Sequence, residues 1–162
     1  MTDPAPRHTW VIVASLAVAL FLTILPLPTW GEELRPQLVA LVLIYWNLAL
    51  PDRVGVFWAW ATGLVLDVTT GTVLGQHALS LSVMAWLAVE LHKRIRVFPL
   101  VQQAVSVWIL LLVERLLSMW VMGATGRPTP SLFYWAPTFV GMLVWPGVFM
   151  LLRNLRRRFT VT

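Results

Sequence analysis

Residues 55–75 read GVFWAWATGLVLDVTTGTVLG. In this stretch a small residue or an aspartate recurs at every fourth position. Residues four apart share one face of a helix, and small side chains let a neighbouring helix approach closely in a membrane. The row predicts a helix buried within a helical bundle. Packing inside the chain and a seam for a partner helix explain it equally well. Its members are Gly55, Ala59, Gly63, Asp67, Gly71 and Gly75.

The composition around this row is that of a membrane protein. Of 162 residues, 59% are hydrophobic and 12% are charged, whereas globular proteins are roughly 45–50% apolar. Six crossings of about 20 residues each would use about 120 residues and leave no second domain. We therefore predict an all-α integral membrane protein with one transmembrane domain over residues 1–162. The expected helices are approximately 10–27, 36–50, 54–74, 76–91, 99–122 and 133–152, followed by a basic tail at 153–162.

The second predicted helix is short for a membrane crossing. Its 14–16 residues would rise only about 21–24 Å, against a hydrocarbon core of roughly 30 Å. Either the bilayer thins around it or neighbouring helices shield it. The third and fourth helices are joined by a glycine-flanked turn, which predicts an antiparallel pair, although Gly71 could instead break one re-entrant segment.

The lysines and arginines predict the orientation, because they accumulate on the cytoplasmic side of membrane proteins. With both termini in the cytoplasm, nine basic residues lie inside and two, Arg35 and Arg127, lie outside, while Arg115 is within a helix. Membrane lipids are the expected contacts of the inner charges. Nucleic acid is not expected, because the tail lacks interleaved aromatic residues. Besides Arg7 and Arg53, the inner residues form a basic patch: Lys93, Arg94, Arg96, Arg153, Arg156, Arg157 and Arg158.

Three charged residues fall within the predicted helices at similar depth. Asp67 lies roughly 20 Å from the inner end of helix three, and Glu114 and Arg115 lie roughly 22–24 Å along helix five. We predict that Asp67 pairs with Arg115, since a guanidinium can donate two parallel hydrogen bonds to a carboxylate. Glu114 points about 100° away from Arg115 around the helix axis, so it either completes the cluster or faces another chain. The cluster is either a ligand or partner site in the outer half of the membrane, or an ion pair that specifies packing.

The sequence gives no sign of catalysis or of a bound metal. Without cysteine the chain has no disulfide, thiolate zinc site or iron–sulfur cluster. His8, His77 and His92 do not have metal-ligand spacing. An intramembrane enzyme would need a nucleophile or metal set near Asp67, and none is evident. We therefore expect no cofactor and no enzymatic activity.

Two segments carry a family resemblance. Residues 50–55 read LPDRVG and residues 60–79 read WATGLVLDVTTGTVLGQHAL. Together they resemble the bacterial rod shape-determining MreD family, and the likeness spans nearly the whole chain. The family motif maps onto the glycines and aspartate of the row together with Pro51 and Arg53.

The resemblance implies a non-enzymatic subunit of the bacterial inner membrane that works in cell elongation. Its implied partners are MreC, the actin-like MreB filament and the RodA–transpeptidase peptidoglycan synthase. The family is also similar in fold to the substrate-binding membrane subunits of energy-coupling-factor transporters, which hold a ligand in the outer half. Two functions therefore stay open: an assembly subunit that binds MreC and influences peptidoglycan synthesis, and a receptor for a small molecule or lipid.

Overall fold

The computed structural model describes residues 9–29, 31, 34–128 and 130–159. The prediction of an all-helical chain is confirmed, since this part of the chain contains six α-helices and no strand. A single turn of 3-10 helix, Leu132–Trp135, precedes the last helix. The helices are α1 (Thr9–Ile24), α2 (Leu38–Ala49), α3 (Val56–Thr70), α4 (Gln76–Arg96), α5 (Leu100–Ala124) and α6 (Ala136–Arg158).

Successive helices run in opposite directions, so the start of α1 and the end of α6 meet. The rings of Trp10 and Phe159 lie 5.0 Å apart at this end, and Arg53 Nη2 donates to Thr9 Oγ1 at 2.5 Å. We call it the basic end, because it carries all the described basic residues except Arg115 and the two at the opposite end, Arg35 and Arg127. α6 continues to Arg158, so the arginines assigned to a tail lie on helical turns. Arg7 and His8 lie outside the described residues.

The short helix α2 forms the centre of the bundle. It has 12 residues, a rise of about 18 Å, and every residue from Val39 to Leu48 is buried. α1, α4 and α6 pack around it. A helix that is apolar on all sides is stable when neighbours cover all sides. Of the two explanations for its shortness, shielding by neighbours is the one that the packing supports.

The outer surface of the bundle is strongly apolar. Large side chains such as Phe57, Leu143 and Leu151 are 69–75% exposed, an arrangement that suits lipid rather than water. Two helical segments, Leu100–Ala124 and Leu132–Arg158, are long and apolar enough to cross a membrane by themselves. α1, α2 and α3 are apolar but shorter, with 16, 12 and 15 residues.

α3 and α4 form the antiparallel pair expected from the sequence, joined by residues 71–75. Gly71 and Gly75 have φ angles of 71° and 101°, a left-handed conformation that ends α3 four residues before its predicted end. At Gly63 the two helices are so close that a Cβ atom would lie 2.5 Å from the Cα of Ala78. The small residue at this position is therefore needed for packing within the chain.

The predicted packing row is shorter than expected. Only Ala59, Gly63 and Asp67 lie on the buried face of α3, because Gly55 precedes the helix and Gly71 and Gly75 belong to the turn. The expectation that the whole helix is buried is also wrong: one face is covered, and the other exposes large side chains, namely Phe57, Trp60, Val65 and Val68.

Candidate functional site

The carboxylate of Asp67 reaches from α3 to the first turn of α4. Its Oδ2 accepts from the N–H of Gly75 at 2.9 Å and of Ala78 at 3.4 Å. Its Oδ1 accepts from the N–H of His77 at 2.9 Å and the hydroxyl of Thr72 at 2.7 Å. The ring Nδ1 of His77 also lies 2.8 Å from Oδ1. The first N–H groups of a helix have no partner within that helix, so Asp67 caps α4 from a neighbouring helix.

The predicted pair of Asp67 with Arg115 is wrong. All of the hydrogen bonds that Asp67 accepts come from the turn and from the start of α4, and its side chain is fully buried there. The depths along α3 and α5 placed the two charges at one level, but depth does not fix the direction in which each side chain points. The carboxylate points to α4 because that helix start offers several uncompensated donors.

Glu114 is buried on α5 and accepts hydrogen bonds from three side chains, one on its own helix and two from elsewhere in the bundle. The hydroxyls of Ser80 and Ser118 lie 3.1 and 3.2 Å from Oε1, and the amide of Gln37 donates to Oε2. Ser80 Oγ also lies 3.2 Å from the carbonyl oxygen of His77, the residue that contacts Asp67. Glu114 and Asp67 therefore belong to one polar network that joins α2, α3, α4 and α5.

Arg115 lies beside this network, against an aromatic ring. Its guanidinium carbon is 4.6 Å from the ring centroid of Tyr134, a distance at which the ring attracts a cation. The Tyr134 hydroxyl donates to the main-chain oxygen of Arg115 at 3.2 Å. The guanidinium is thus held in place by a ring while its Nε has no hydrogen-bond partner.

Around these side chains lies a cavity of about 370 Å³, which we call the polar cavity. It is at the opposite end from the basic end and is formed by the ends of α1 and α3, the second half of α5, the starts of α2 and α4, and the segment that leads into α6. Its polar lining comprises Thr23, Arg35, Gln37, Thr70, His77, Glu114, Arg115, Ser131 and Tyr134. Glu114 and Arg115 both line this cavity, whereas Asp67 does not line it and contacts His77, which does.

Several polar atoms at this cavity are buried without a partner. The described structure has five buried side-chain nitrogen or oxygen atoms that lack a hydrogen bond, and three belong to residues that line the cavity: Arg35 Nε, Gln37 Oε1 and Arg115 Nε. Most buried polar groups in proteins are satisfied. Three residues that line the cavity therefore keep a hydrogen-bonding atom that the described chain does not use.

Most of this lining was not predicted from the sequence. Arg35 was counted only as an outer charge, yet its guanidinium donates to the main-chain oxygens of Thr23 and Leu25 and so ties the start of α2 to α1. Helical spacing offered one signal, since Ser118 lies four residues after Glu114 and Ser80 lies three after His77. Gln37 and Tyr134 gave no signal, because only the packing brings them to the cavity.

The other predicted residues lie at the basic end. Pro51 and Arg53 are in the turn between α2 and α3, where Arg53 contacts Thr9. The basic patch divides into two groups. Arg96, Arg153, Arg156 and Arg157 line one pocket, whereas Lys93, Arg94 and Arg158 are exposed elsewhere. Among the described residues, no group of three or more histidine and acidic side chains could hold a metal ion.

Comparison with known proteins identifies the family. The family model of the rod shape-determining protein MreD matches residues 7–155. The rod shape-determining protein MreD of Haemophilus influenzae is 32% identical over 152 residues, which cover 92% of each chain. No solved structure matches the chain, so the likeness to transporter subunits stays a prediction. The chain belongs to the MreD family of rod shape-determining membrane proteins.

Proposed function

We propose that this chain crosses the bacterial inner membrane six times, with both termini in the cytoplasm. The support is the charge asymmetry: apart from Arg115, the described part of the chain has eight basic residues at one end and two at the other. Because basic residues accumulate on the cytoplasmic side, the basic end faces the cytoplasm and the polar cavity faces outward.

The orientation can be measured directly, because the chain has no cysteine. Arg127→Cys places one thiol at the outer end, and Arg94→Cys places one at the inner end. In spheroplasts a membrane-impermeant maleimide should label only Arg127→Cys, and both should react after lysis. Labelling of Arg94→Cys in intact spheroplasts would contradict this orientation.

We further propose that the chain is a non-catalytic subunit of the cell-elongation machinery and that its polar cavity binds MreC. The unpartnered polar atoms of Arg35, Gln37 and Arg115, three residues that line the cavity, carry this proposal. A buried polar group without a partner costs about 1–3 kcal/mol, and a binding partner that supplies the missing hydrogen bond recovers that cost. The outer end of the membrane helix of MreC, or the segment that follows it, would lie at this level.

Through MreC the chain would act on lateral peptidoglycan synthesis together with the MreB filament and the RodA–transpeptidase synthase. The polar residues of the cavity suit binding rather than chemistry. Glu114 accepts from three side chains, Asp67 caps a helix, and Arg115 lies on an aromatic ring. Each is held in one position, which favours a rigid contact surface.

The test is co-purification with MreC in detergent. Arg115→Gln removes a cavity charge, and Arg127→Gln is the matched control, since Arg127 is exposed at the same end and outside the cavity. A hydrogen bond to a charged group contributes about 1.5–3 kcal/mol, so recovery of MreC should fall about tenfold or more with Arg115→Gln. Recovery with the control should match wild type.

Both variants must first elute as single species and unfold at wild-type temperature. If folded Arg115→Gln retains MreC as wild type does, the polar cavity is not the contact. Cells that keep a normal rod shape with Arg115→Gln at wild-type protein level would argue against the proposal in the same way.

A second function is favoured by the size of the cavity. Its volume of about 370 Å³ falls within the roughly 300–1,000 Å³ of small-molecule sites. In this case native mass spectrometry of the chain purified without MreC should show one bound small molecule or lipid, and Arg115→Gln should lose it. If such a ligand is found and Arg115→Gln does not change MreC binding, the receptor function explains the cavity better than MreC binding does.

A further inference from the structure

A second, smaller pocket lies at the basic end of the bundle. Its volume is about 210 Å³, and it is enclosed by α2, the end of α4, the start of α5 and the last turns of α6. Arginine side chains from two helices converge on it. We call it the arginine pocket, after Arg96, Arg153, Arg156 and Arg157.

Among the residues that the structure describes, no carboxylate lies at this pocket. The contact between His77 and Asp67 lies at the far end of the bundle, and no acidic side chain among the described residues lines the arginine pocket. Asp52 and Glu90, the acidic residues described at this end, are exposed and do not line the pocket. Four guanidinium groups around one small pocket repel one another, so an anion between them would relieve the repulsion.

The walls of the pocket are held firmly. Gln103 is buried and uses both ends of its amide, donating to the main-chain oxygen of Ile95 at 3.2 Å and accepting from Trp145 Nε1 at 3.1 Å. Tyr45 is 3% exposed, and its ring packs edge-to-face on Phe149 with centroids 5.8 Å apart. The charge of Arg156 acts on the Tyr45 hydroxyl. The guanidinium groups are therefore the main donors at this pocket, and the Tyr45 hydroxyl lies among them in contact with Arg156.

A group that matches this lining carries negative charge and several acceptor oxygens. Phosphate meets both conditions, and planar guanidinium groups bind it through paired hydrogen bonds. Arg153, Arg156 and Arg157 are spaced i, i+3 and i+4, so one face of α6 presents all three. Arg96 faces them from α4.

The surroundings favour a phosphate attached to a lipid. Leu48, Ala49 and Phe149 line the apolar side of the pocket. Val97 and Val101, close in sequence to Arg96 and Gln103, are both 79% exposed. A phosphate at the arginines would thus leave attached acyl chains beside apolar surface. Basic pockets between transmembrane helices are known to bind anionic lipid headgroups.

We propose that the arginine pocket binds the phosphate of an anionic phospholipid in the leaflet at the basic end. This site is separate from the polar cavity, so it does not depend on MreC binding. The lipid would bridge α4 and α6 and so fix the basic end of the bundle.

The test measures binding of phosphatidylglycerol to the purified chain by native mass spectrometry, with phosphatidylcholine and inorganic phosphate as comparison probes. The pocket variant is Arg153→Gln with Arg156→Gln. Its matched control is Arg94→Gln with Arg158→Gln, which removes the same charge from the same end but outside the pocket. Tyr45→Phe removes the hydroxyl and keeps every charge.

Wild type should bind one phosphatidylglycerol more tightly than phosphatidylcholine. The pocket variant should lose affinity for phosphatidylglycerol by about tenfold or more per arginine, Tyr45→Phe should lose less, and the control should stay within about threefold of wild type. Equal losses in pocket variant and control would overturn the proposal, because they would indicate attraction by the charged surface as a whole. Inorganic phosphate that displaces the lipid at equal concentration would overturn the lipid assignment in favour of a soluble phosphate.

Discussion

Replacing Asp67 by asparagine should destabilise the bundle by about 2–4 kcal/mol. In the native structure both carboxylate oxygens accept from main-chain N–H groups, Oδ1 from His77 and Oδ2 from Gly75. An amide has one oxygen, so either orientation of asparagine leaves one of these N–H groups facing an NH₂ group. An unpaired buried donor costs about 1–3 kcal/mol. Loss of the negative charge at the start of α4 adds about 0.3–1 kcal/mol, and more where the site is buried.

Glu114→Gln is the matched comparison, since it is the same chemical change at another buried carboxylate. Glu114 accepts from two serine hydroxyls and an amide. A hydroxyl can rotate to accept instead of donate, and an amide can turn over, whereas a main-chain N–H can only donate. We therefore expect Glu114→Gln to cost only about 1 kcal/mol.

The assay is reversible unfolding of the purified protein in mixed micelles, followed by helical circular dichroism. The free energy of unfolding should fall in the order wild type, Glu114→Gln, Asp67→Asn. If Asp67→Asn remains within 0.5 kcal/mol of wild type, about the scale of a neutral surface substitution, the carboxylate does not hold the start of α4. If the two variants cost the same, the distinction between hydroxyl and main-chain donors is wrong.

Three other substitutions test the packing by the same assay. Gly63→Ala should destabilise by about 2 kcal/mol, because its Cβ would meet the main chain of Ala78 at 2.5 Å. Gly123→Ala, in a helix with open space around it, should instead stabilise by up to about 1 kcal/mol, and equal effects would refute the close contact. Asn47→Leu should stabilise by about 1 kcal/mol, since Asn47 is fully buried in α2 with an unpartnered Oδ1. Asn47 Nδ2 donates to the main-chain oxygen of Leu43, and destabilisation by Asn47→Leu would refute the expectation that the unpartnered Oδ1 costs more than this bond contributes.

The all-helical architecture follows from sequence because it rests on local and additive properties. Runs of apolar residues separated by Pro and Gly predict where helices lie, and the distribution of lysine and arginine predicts their orientation. Helix ends were less predictable. α3 stops at Thr70 because Gly71 adopts a left-handed conformation, and α6 continues through its arginines because no residue there interrupts the helix.

The polar residues show where sequence reasoning stops. The rise of a helix was enough to predict that three charged residues lie toward the outer end of the bundle: Asp67, Glu114 and Arg115. Their partners depend on the rotation of each helix about its axis, which distance along the chain does not contain. Asp67 therefore caps α4 instead of pairing with Arg115. Glu114 accepts a hydrogen bond from Gln37, a residue 77 positions away in the sequence.

The sequence by itself determined the class of the protein, its helices, its charge asymmetry and its family, because each depends on composition or on short spacings. The tertiary structure alone decided that α2 is enclosed, that Arg35, Gln37 and Tyr134 meet at the polar cavity, and that four of the seven basic-patch residues share one pocket. These features arise where side chains from several helices converge, and convergence is set by packing of the whole bundle rather than by any one segment.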